Sequence, residues 1–295
     1  MIGTTAATDA FVAHRNLLFT VAYEMLGSAA DAEDVLQETW LRWIGVDLAE
    51  VRDQRAYLVR ITTRQALGRL RTLGRRKESY VGQWLPEPLL TAPDVAEDVE
   101  LAESVSMAML LVLETLAPTE RAVFVLREVF NLPYDEIAAA VDKSAAAVRQ
   151  IAHRARAHVA SRRPRGPVSP AESREVLDAF HRAVETGDLR GLLDLLAPDV
   201  VAFGDGGGLR AALPHPIVGA DTVARVLTTG WRRFGDSASF DTTMVNGHPA
   251  LVMRREGEVD TVLALRIDDG LITGLYAVRN PEKHSHMDRV TALSR

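Results

Sequence analysis

Arg149, Gln150, His153 and Arg154 follow one another at a spacing that puts them, with Ala146, on one side of a helix. These side chains suit recognition better than bond-breaking. A guanidinium forks onto guanine O6 and N7, a carboxamide onto adenine, and a methyl packs on the thymine methyl. Lys143, Arg156, Arg162 and Arg163 extend the same cationic run toward phosphates, a sequence-independent and salt-dependent contribution. From Lys143 to Arg165 there are seven lysines and arginines and no acid. The opposite side, Val148, Ile151, Ala152, Ala155 and Val159, is apolar. Ser144 stands where an N-cap belongs, at the edge of the DNA-facing set. Pro133 suits the start of a shorter helix before it. The bend between them falls at Asp142, a residue type that tolerates the left-handed conformation. A charge run alone reads as a solvated face. Bend, cap, apolar stripes and absence of acids together predict a helix-turn-helix with its second helix in the major groove.

A second cationic helix lies about 80 residues earlier. Tyr57, Leu58, Ile61, Leu67 and Leu70 hold its apolar period, and seven basic residues with no acid run from Arg60 to Lys77. Arg64, Gln65, Arg69 and Arg71 are its expected DNA-facing residues. Two such helices suggest two contacts on one long polyanion. Before them, Phe11–Met25 reads as an amphipathic helix stopped by Gly27. A second helix, capped by Ser28 or Asp31, buries Val35, Leu36, Thr39, Trp40 and Trp43. Its acidic face, Asp31, Asp34, Gln37 and Glu38, suits a basic partner. The irregular piece Val46–Gln54 is the expected place for capture of a flipped base.

A chain of 295 residues suggests two or three domains, and 47% hydrophobic content supplies their cores. There is no cysteine, hence no disulfide and no thiolate metal site. No stretch approaches the ~20 apolar residues of a membrane helix, and the expected compartment is the cytosol. The net charge of −6 argues against a uniformly DNA-coated protein, but the charge is segregated.

Between the basic helices, residues 81–105 are proline-containing and then acidic, which reads as an extended linker. Trp84 and Leu85 are unusual in a linker and predict docking on something apolar. After a second proline-rich boundary, residues 164–170, the pattern changes. Helices at Val176–Val184, Leu189–Leu196 and Ala220–Phe234 flank a strand at Val200–Phe203. Four strands follow: Phe240–Val245, Ala250–Arg254, Val259–Ile267 and Leu271–Arg279. Asn246–Gly247, Glu256–Gly257 and Asp269–Gly270 separate them as hairpin turns. The fold class is therefore multidomain: two all-α domains, the second with the helix-turn-helix, then an α+β domain.

The segments DAEDVLQETWLR, AYLVRITTRQALGRLR and LAPTERAVFVLREVFNLPYDEIAAAV with KSAAAVRQIAHRARAHV resemble, in order, three motifs of sigma-70-type factors of the extracytoplasmic-function group. The resemblance implies polymerase binding through Asp31, Asp34, Gln37 and Glu38 on the coiled coil of the largest subunit. It also implies minus-ten recognition by residues 8–80 and minus-thirty-five recognition by residues 106–163, and contact with the polymerase flap. The family's glycine in the turn is here Asp142. Residues 171–295 are similar to the SnoaL-like, or NTF2-like, cone. A subgroup with that domain carries a WLPEPL-type linker, a DGGG-type loop and an NPDKL-type tail. These stand here as Trp84–Leu89 with Leu85 and Pro86, as Asp205, Gly206, Gly207 and Gly208, and as Asn280, Pro281 and Lys283 within NPEKH, which departs from the pattern at Glu282 and His284. In this subgroup the last domain takes over control in cis, and the loop and tail are expected to pack against the linker and the amino-terminal unit.

In the last domain Asp205, His215, Trp231, His248, Arg254, Asp260 and Tyr276 are the candidate polar groups, and acid–base work requires them to converge in one cavity. His284 and His286 sit in a polar tail with too few neighbours for a metal site, so no metal and no cofactor are expected. An unidentified small ligand in this domain is the remaining partner beside polymerase core and promoter DNA. The competing readings are a ligand-sensing regulator acting without polymerase and a cyclase-like enzyme with a DNA-binding appendage. The acidic helix argues against the first, and the convergence requirement tests the second.

Overall fold

The computed structural model describes residues 2–92, 95–96, 98–162, 169–231 and 238–295. They form two compact units, neither a continuous stretch of chain. The first comprises Met1–Glu78, Leu110–Arg163 and Ala292–Arg295, the second Ser79–Met109 and Pro164–Thr291.

The first unit is all-α. Helix α1 (Ile2–Leu26) carries Phe11, Leu18, Val21, Ala22 and Met25 as a buried stripe. It begins nine residues before the expected start, and the buried Trp43 ring N–H donates to the Ala7 carbonyl at 2.8 Å, tying down that early turn. Gly27, at φ 66°, ends it. Helix α2 (Ala29–Trp43) is capped by Ser28, whose hydroxyl accepts from Asp31 N–H at 3.1 Å. Helix α3 (Gln54–Glu78) follows a 3₁₀ turn at Leu48–Glu50. Thr39 and Thr62 meet across α2 and α3 at 3.3 Å as a buried polar pair.

Helices α4 (Val99–Val105) and α5 (Met107–Glu114) come next, and the boundary between units falls inside α5. Helix α6 (Pro118–Phe124) widens into a π turn at Val125–Val129. Helices α7 (Tyr134–Val141) and α8 (Ala145–Ala160) are the helix-turn-helix. Asp142 adopts φ 55° and ψ 56°, the left-handed conformation its side chain tolerates, and the Ser144 hydroxyl accepts from Ala147 N–H at 3.2 Å. Residues from Leu110 on fall in one compact unit with α1–α3. The tie is Arg121, 2% exposed, whose Nε donates to the Glu24 carbonyl at 2.9 Å and whose Nη1 pairs with Glu114. Lys77 also binds Glu114. Burial alone would raise the Glu114 carboxyl, but these two cations hold it below the usual range. Removing one partner from such a pair costs about 3–5 kcal/mol.

The second unit is one six-stranded sheet with helices. Helices α9 (Pro170–Thr186), α10 (Leu189–Leu195) and α11 (Ala220–Trp231) accompany β1 (Leu196–Asp205), β2 (Ile217–Val218), β3 (Ala238–Val245), β4 (His248–Arg255), β5 (Glu258–Asp268) and β6 (Leu271–Val278). The order is β2-β1-β6-β5-β4-β3. Strands β3 to β6 form the expected antiparallel meander, and β1 pairs parallel with β6. All three hairpin turns have positive φ at both central residues, as a two-residue type I′ turn requires. Leu177, Phe180, Val200, Val223, Leu251, Ile272 and Leu275 centre the core.

The segment read as an open linker, 81–105, is not free. Leu85, Pro86, Glu87, Pro88 and Leu89 are buried, and the segment belongs to the sheet-bearing unit. Leu89 N–H donates to Asn246 Oδ1 at 2.9 Å, Asn246 Nδ2 donates to the Val105 carbonyl at 2.8 Å, and Asn246 N–H donates to the Leu89 carbonyl at 2.9 Å. Like-charge repulsion was expected to hold the segment open; satisfied backbone groups and apolar burial outweigh it. Arg163, Asp94, Glu97, Phe234 and most of boundary 164–170 lie outside the described residues. Among the described residues no helix is long and apolar enough to cross a membrane.

Gly247, at φ 75°, lies so close to α4 that a Cβ would stand 2.7 Å from Ala102 Cα. Gly247→Ala is expected to destabilise the sheet-bearing unit by about 1–3 kcal/mol, read as a lower midpoint in calorimetry while the helical unit's transition is unchanged.

Candidate nucleic-acid interface

Helix α8 presents two unlike faces. Val148, Ile151, Ala152, Ala155 and Val159 are buried, whereas Ala146, Arg149, Gln150, His153 and Arg154 are exposed together. Lys143 and Ser144 are exposed at the N-terminal end. The Arg149 guanidinium lies 5.7 Å from the Tyr134 ring centroid, a cation–π contact that can orient it without consuming its donors. Arg156 differs from its expected role. It is bidentate to Glu128 at 2.7 and 3.0 Å, and that carboxylate raises its pKa. A phosphate contact there must displace Glu128. Arg154 stands 3.9 Å from Glu120.

On α3 the expected DNA-facing residues are largely engaged. Arg64 Nη2 donates to the Ala139 carbonyl on α7 at 2.8 Å, so the middle of α3 is covered by the helix-turn-helix. Gln65 donates to Glu38 at 2.8 Å. Arg69 donates to Asp31 at 2.6 Å and to Asp34 at 2.7 Å. Arg71 is exposed. Two sets of residues assigned to different partners thus pair with each other, because the α2–α3 crossing sets their rows face to face. Asp31, expected on the exposed face of α2, is 4% exposed and belongs to this pairing. Asp34, Gln37 and Glu38 are exposed, and Leu41, 66% exposed, continues their face one turn on.

In the sheet-bearing unit the subgroup's three marks meet. Asp205, fully buried at the end of β1, accepts from the Tyr80 hydroxyl at 2.6 Å, Leu85 N–H at 2.8 Å, Gly207 N–H at 3.1 Å and Lys283 Nζ at 2.7 Å. Lys283 also donates to the Leu85 carbonyl and lies 4.2 Å from the Trp84 ring centroid and 4.8 Å from that of Tyr80. Asn280 Nδ2 donates to the Tyr80 hydroxyl at 2.8 Å. Burial and the bond to Asp205 push the Tyr80 phenol up. Gly206 and Gly207 are required by contact: a Cβ would stand 2.0 Å from the Arg210 carbonyl at the first and 2.3 Å from Asn280 Nδ2 at the second. Gly208 packs on Val81. Pro281 is exposed and acts only by starting the 3₁₀ turn Pro281–Lys283 that aims Lys283. Tyr80, Gln83 and Asn246 escaped the sequence reading; only the last, as a turn residue, left a signal.

The candidate polar groups do not converge. A half-open apolar pocket of about 400 Å³ lies between the sheet and α11, and none of the six candidates whose side chains are described lines it. His215 is exposed in a loop, and Arg254 faces Asp241 at 3.5 Å. Burial pushes the Tyr276 phenol up to about 12. Asp260 is 4% exposed; burial would raise it, but Arg279 at 2.9 Å and Thr261 hold it low. Trp231 ends α11, and its side chain lies outside the described residues. The tail histidines are buried, contrary to the polar tail expected: the His284 ring nitrogens lie 3.2 Å from the Val259 carbonyl and 3.1 Å from that of Val278. Among the described residues no group of three or more metal-ligating side chains assembles.

His248 Nε2 lies 3.1 Å from the Ala102 carbonyl, and burial lowers its pKa. The neutral ring is the native form, so its stabilisation is complete above about pH 6.5 and lost as pH falls through the lowered value. The calorimetric midpoint of the sheet-bearing unit is expected to drop between pH 7.5 and 5.5, and His248→Gln to flatten that drop.

Residues 10–76 match Sigma-70 region 2, and residues 106–159 match Sigma-70, region 4. The chain is 35% identical over 287 residues to the ECF RNA polymerase sigma factor SigJ of Mycobacterium tuberculosis, spanning 92% of this chain and 91% of that protein. It is 34% identical over 275 residues to the probable ECF RNA polymerase sigma factor SigI of the same organism, with 92% of each covered. The crystal structure of M. tuberculosis SigJ aligns at TM-score 0.77 and 33% identity over 95% of this chain and 98% of that one.

Proposed function

This chain belongs to the extracytoplasmic-function RNA polymerase sigma factors, and we propose that it reads a promoter through α8 and α3 while its sheet-bearing unit controls access in cis. The observation that carries this is the exposed face of Ala146, Arg149, Gln150 and His153 on a helix whose other face is core. Arg149 and Gln150 read base edges in the minus-thirty-five element, and Lys143 and Arg154 neutralise phosphates. Asp34, Gln37, Glu38 and the neighbouring Leu41 receive the polymerase coiled coil. Charge there chiefly sets the encounter rate and orientation.

The control follows from distance. Elements named minus-ten and minus-thirty-five have centres about 25 base pairs apart, or about 85 Å at 3.4 Å per pair. A compact unit of the size that holds both reading helices has a radius of gyration of only about 14 Å. Promoter engagement therefore requires α3 and α7 to part, breaking the bond between Arg64 and Ala139. It also requires slack in residues 79–109, which join the two regions. Those residues are held along their length by the sheet, through Asp205, Asn246 and Lys283. The sheet-bearing unit thus restricts opening by holding the tether.

In a reconstituted assay with polymerase core, Arg149→Ala is expected to cut promoter-specific transcripts at least tenfold while core binding persists. Combined charge reversal at Asp34 and Glu38 is expected to abolish co-purification with core. Retained binding refutes that assignment. Asp205→Asn is expected to raise transcript yield at fixed protein concentration by loosening the tether; an unchanged yield counts against control in cis.

A further inference from the structure

Helix α7 begins at Tyr134, directly after Pro133, whose fixed ring leaves the backbone extended there (φ −60°, ψ 145°). Two guanidinium groups meet the Tyr134 ring. Arg127, from the π turn after α6, stands 4.8 Å from its centroid, and Arg149, from α8, stands 5.7 Å from it. Arg127 also donates to the Leu132 carbonyl at 3.0 Å, which anchors it beside the ring. Arg156, held chiefly by Glu128, has the Tyr134 hydroxyl as a further hydrogen-bond partner. One phenol therefore joins the π turn, the start of α7 and the exposed side of α8.

The three arginines of α8 nearest this ring are not equivalent. Arg154 and Arg156 face Glu120 and Glu128, whereas among the described residues Arg149 pairs with no carboxylate. An exposed guanidinium on a flexible stem is drawn to the nearest phosphate, a contact that carries no sequence information. A ring against its face restrains it while leaving the in-plane N–H groups free. A fork restrained in this way suits guanine, whose O6 and N7 are two acceptors side by side. Part of the side-chain ordering that binding demands is then met beforehand. We propose that Tyr134 is a positioning residue for base readout: its ring holds the Arg149 fork for a guanine of the minus-thirty-five element and sets how strongly that base pair is preferred. This rests on the role given to Arg149 above.

The test uses the full chain with polymerase core on a promoter from which it initiates, and on templates in which each minus-thirty-five base pair is replaced in turn. Arg149→Ala is expected to abolish the preference at one guanine-containing base pair. Tyr134→Leu, which keeps bulk but removes the ring, is expected to reduce the preference at that same base pair about three- to fivefold. Preferences elsewhere, the melting temperature and the salt dependence of binding are expected to stay unchanged. Tyr134→Phe keeps the ring and is expected to keep the preference. Adding Tyr134→Leu to Arg149→Ala is expected to cost nothing more at that base pair. Should Tyr134→Leu not fold, Tyr134→Met serves the same purpose. An unchanged preference in the ring-less variant, a loss spread evenly over all positions, a loss in Tyr134→Phe, or an additive loss in the double variant overturns the positioning role. If Arg149→Ala alters no base preference, the role given to Arg149 is refuted and this one falls with it. If it alters one and Tyr134→Leu does not, only the positioning role is lost.

Discussion

The carboxylate of Asp205 is the constraint on which the sheet-bearing unit depends. It is fully buried, so its oxygens need partners on every side; they take a phenol, two backbone N–H groups and an ammonium. Burying such a pair is costly unless each remaining lone pair and proton is satisfied. Lys283 meets that condition with a carbonyl and two aromatic faces. The linker, the glycine loop and the tail are three distant pieces of sequence that can be satisfied only together, which makes the arrangement all-or-none rather than graded.

A second buried polar knot governs the helical unit. Arg121 and Glu114, from the half of the unit that bears the helix-turn-helix, are locked to Glu24 and Lys77 from the half formed by α1 to α3. Apolar packing is non-directional and tolerates sliding, whereas a guanidinium bound to one particular carbonyl does not. The consequence is a single defined closed arrangement, in which cationic helices are matched against acids and carbonyls of the same chain rather than against phosphate. Arg64, Gln65, Arg69 and Arg156 are held in these pairings, whereas Lys143, Arg149, Gln150 and His153 remain exposed.

Much of this was legible in the sequence because it depends on local spacing. The cap at Ser144, the bend at Asp142, the apolar stripe of α8 and the three primed hairpin turns are set by residues within a few positions of one another. So is the order of helices followed by a meander. What escaped reading depends on partners far apart. Nothing near Asp31 announces that Arg69 will cover it, and nothing near Glu128 announces Arg156. The acidic composition of residues 81–105 pointed to an open chain, although Trp84 and Leu85 hinted at docking. The hint was the better guide, because a few buried apolar residues with paired backbone outweigh screened repulsion among surface acids. The tail histidines illustrate the same limit: flanked by polar residues, they are nonetheless core.

The distance along the chain between Leu85 and Asp205 has a bearing on biosynthesis. The linker leaves the ribosome 120 residues ahead of the carboxylate that captures it. At ordinary translation speeds that is a lag of roughly 6 to 24 s. Only in the last part of that interval, once Ala160 has been made, does the nascent chain carry both basic helices on an unrestrained tether, and the fastening of Lys283 comes later still. A ribosome-bound or prematurely terminated chain is therefore a different species from the finished one, with residues 80–89 not yet fastened.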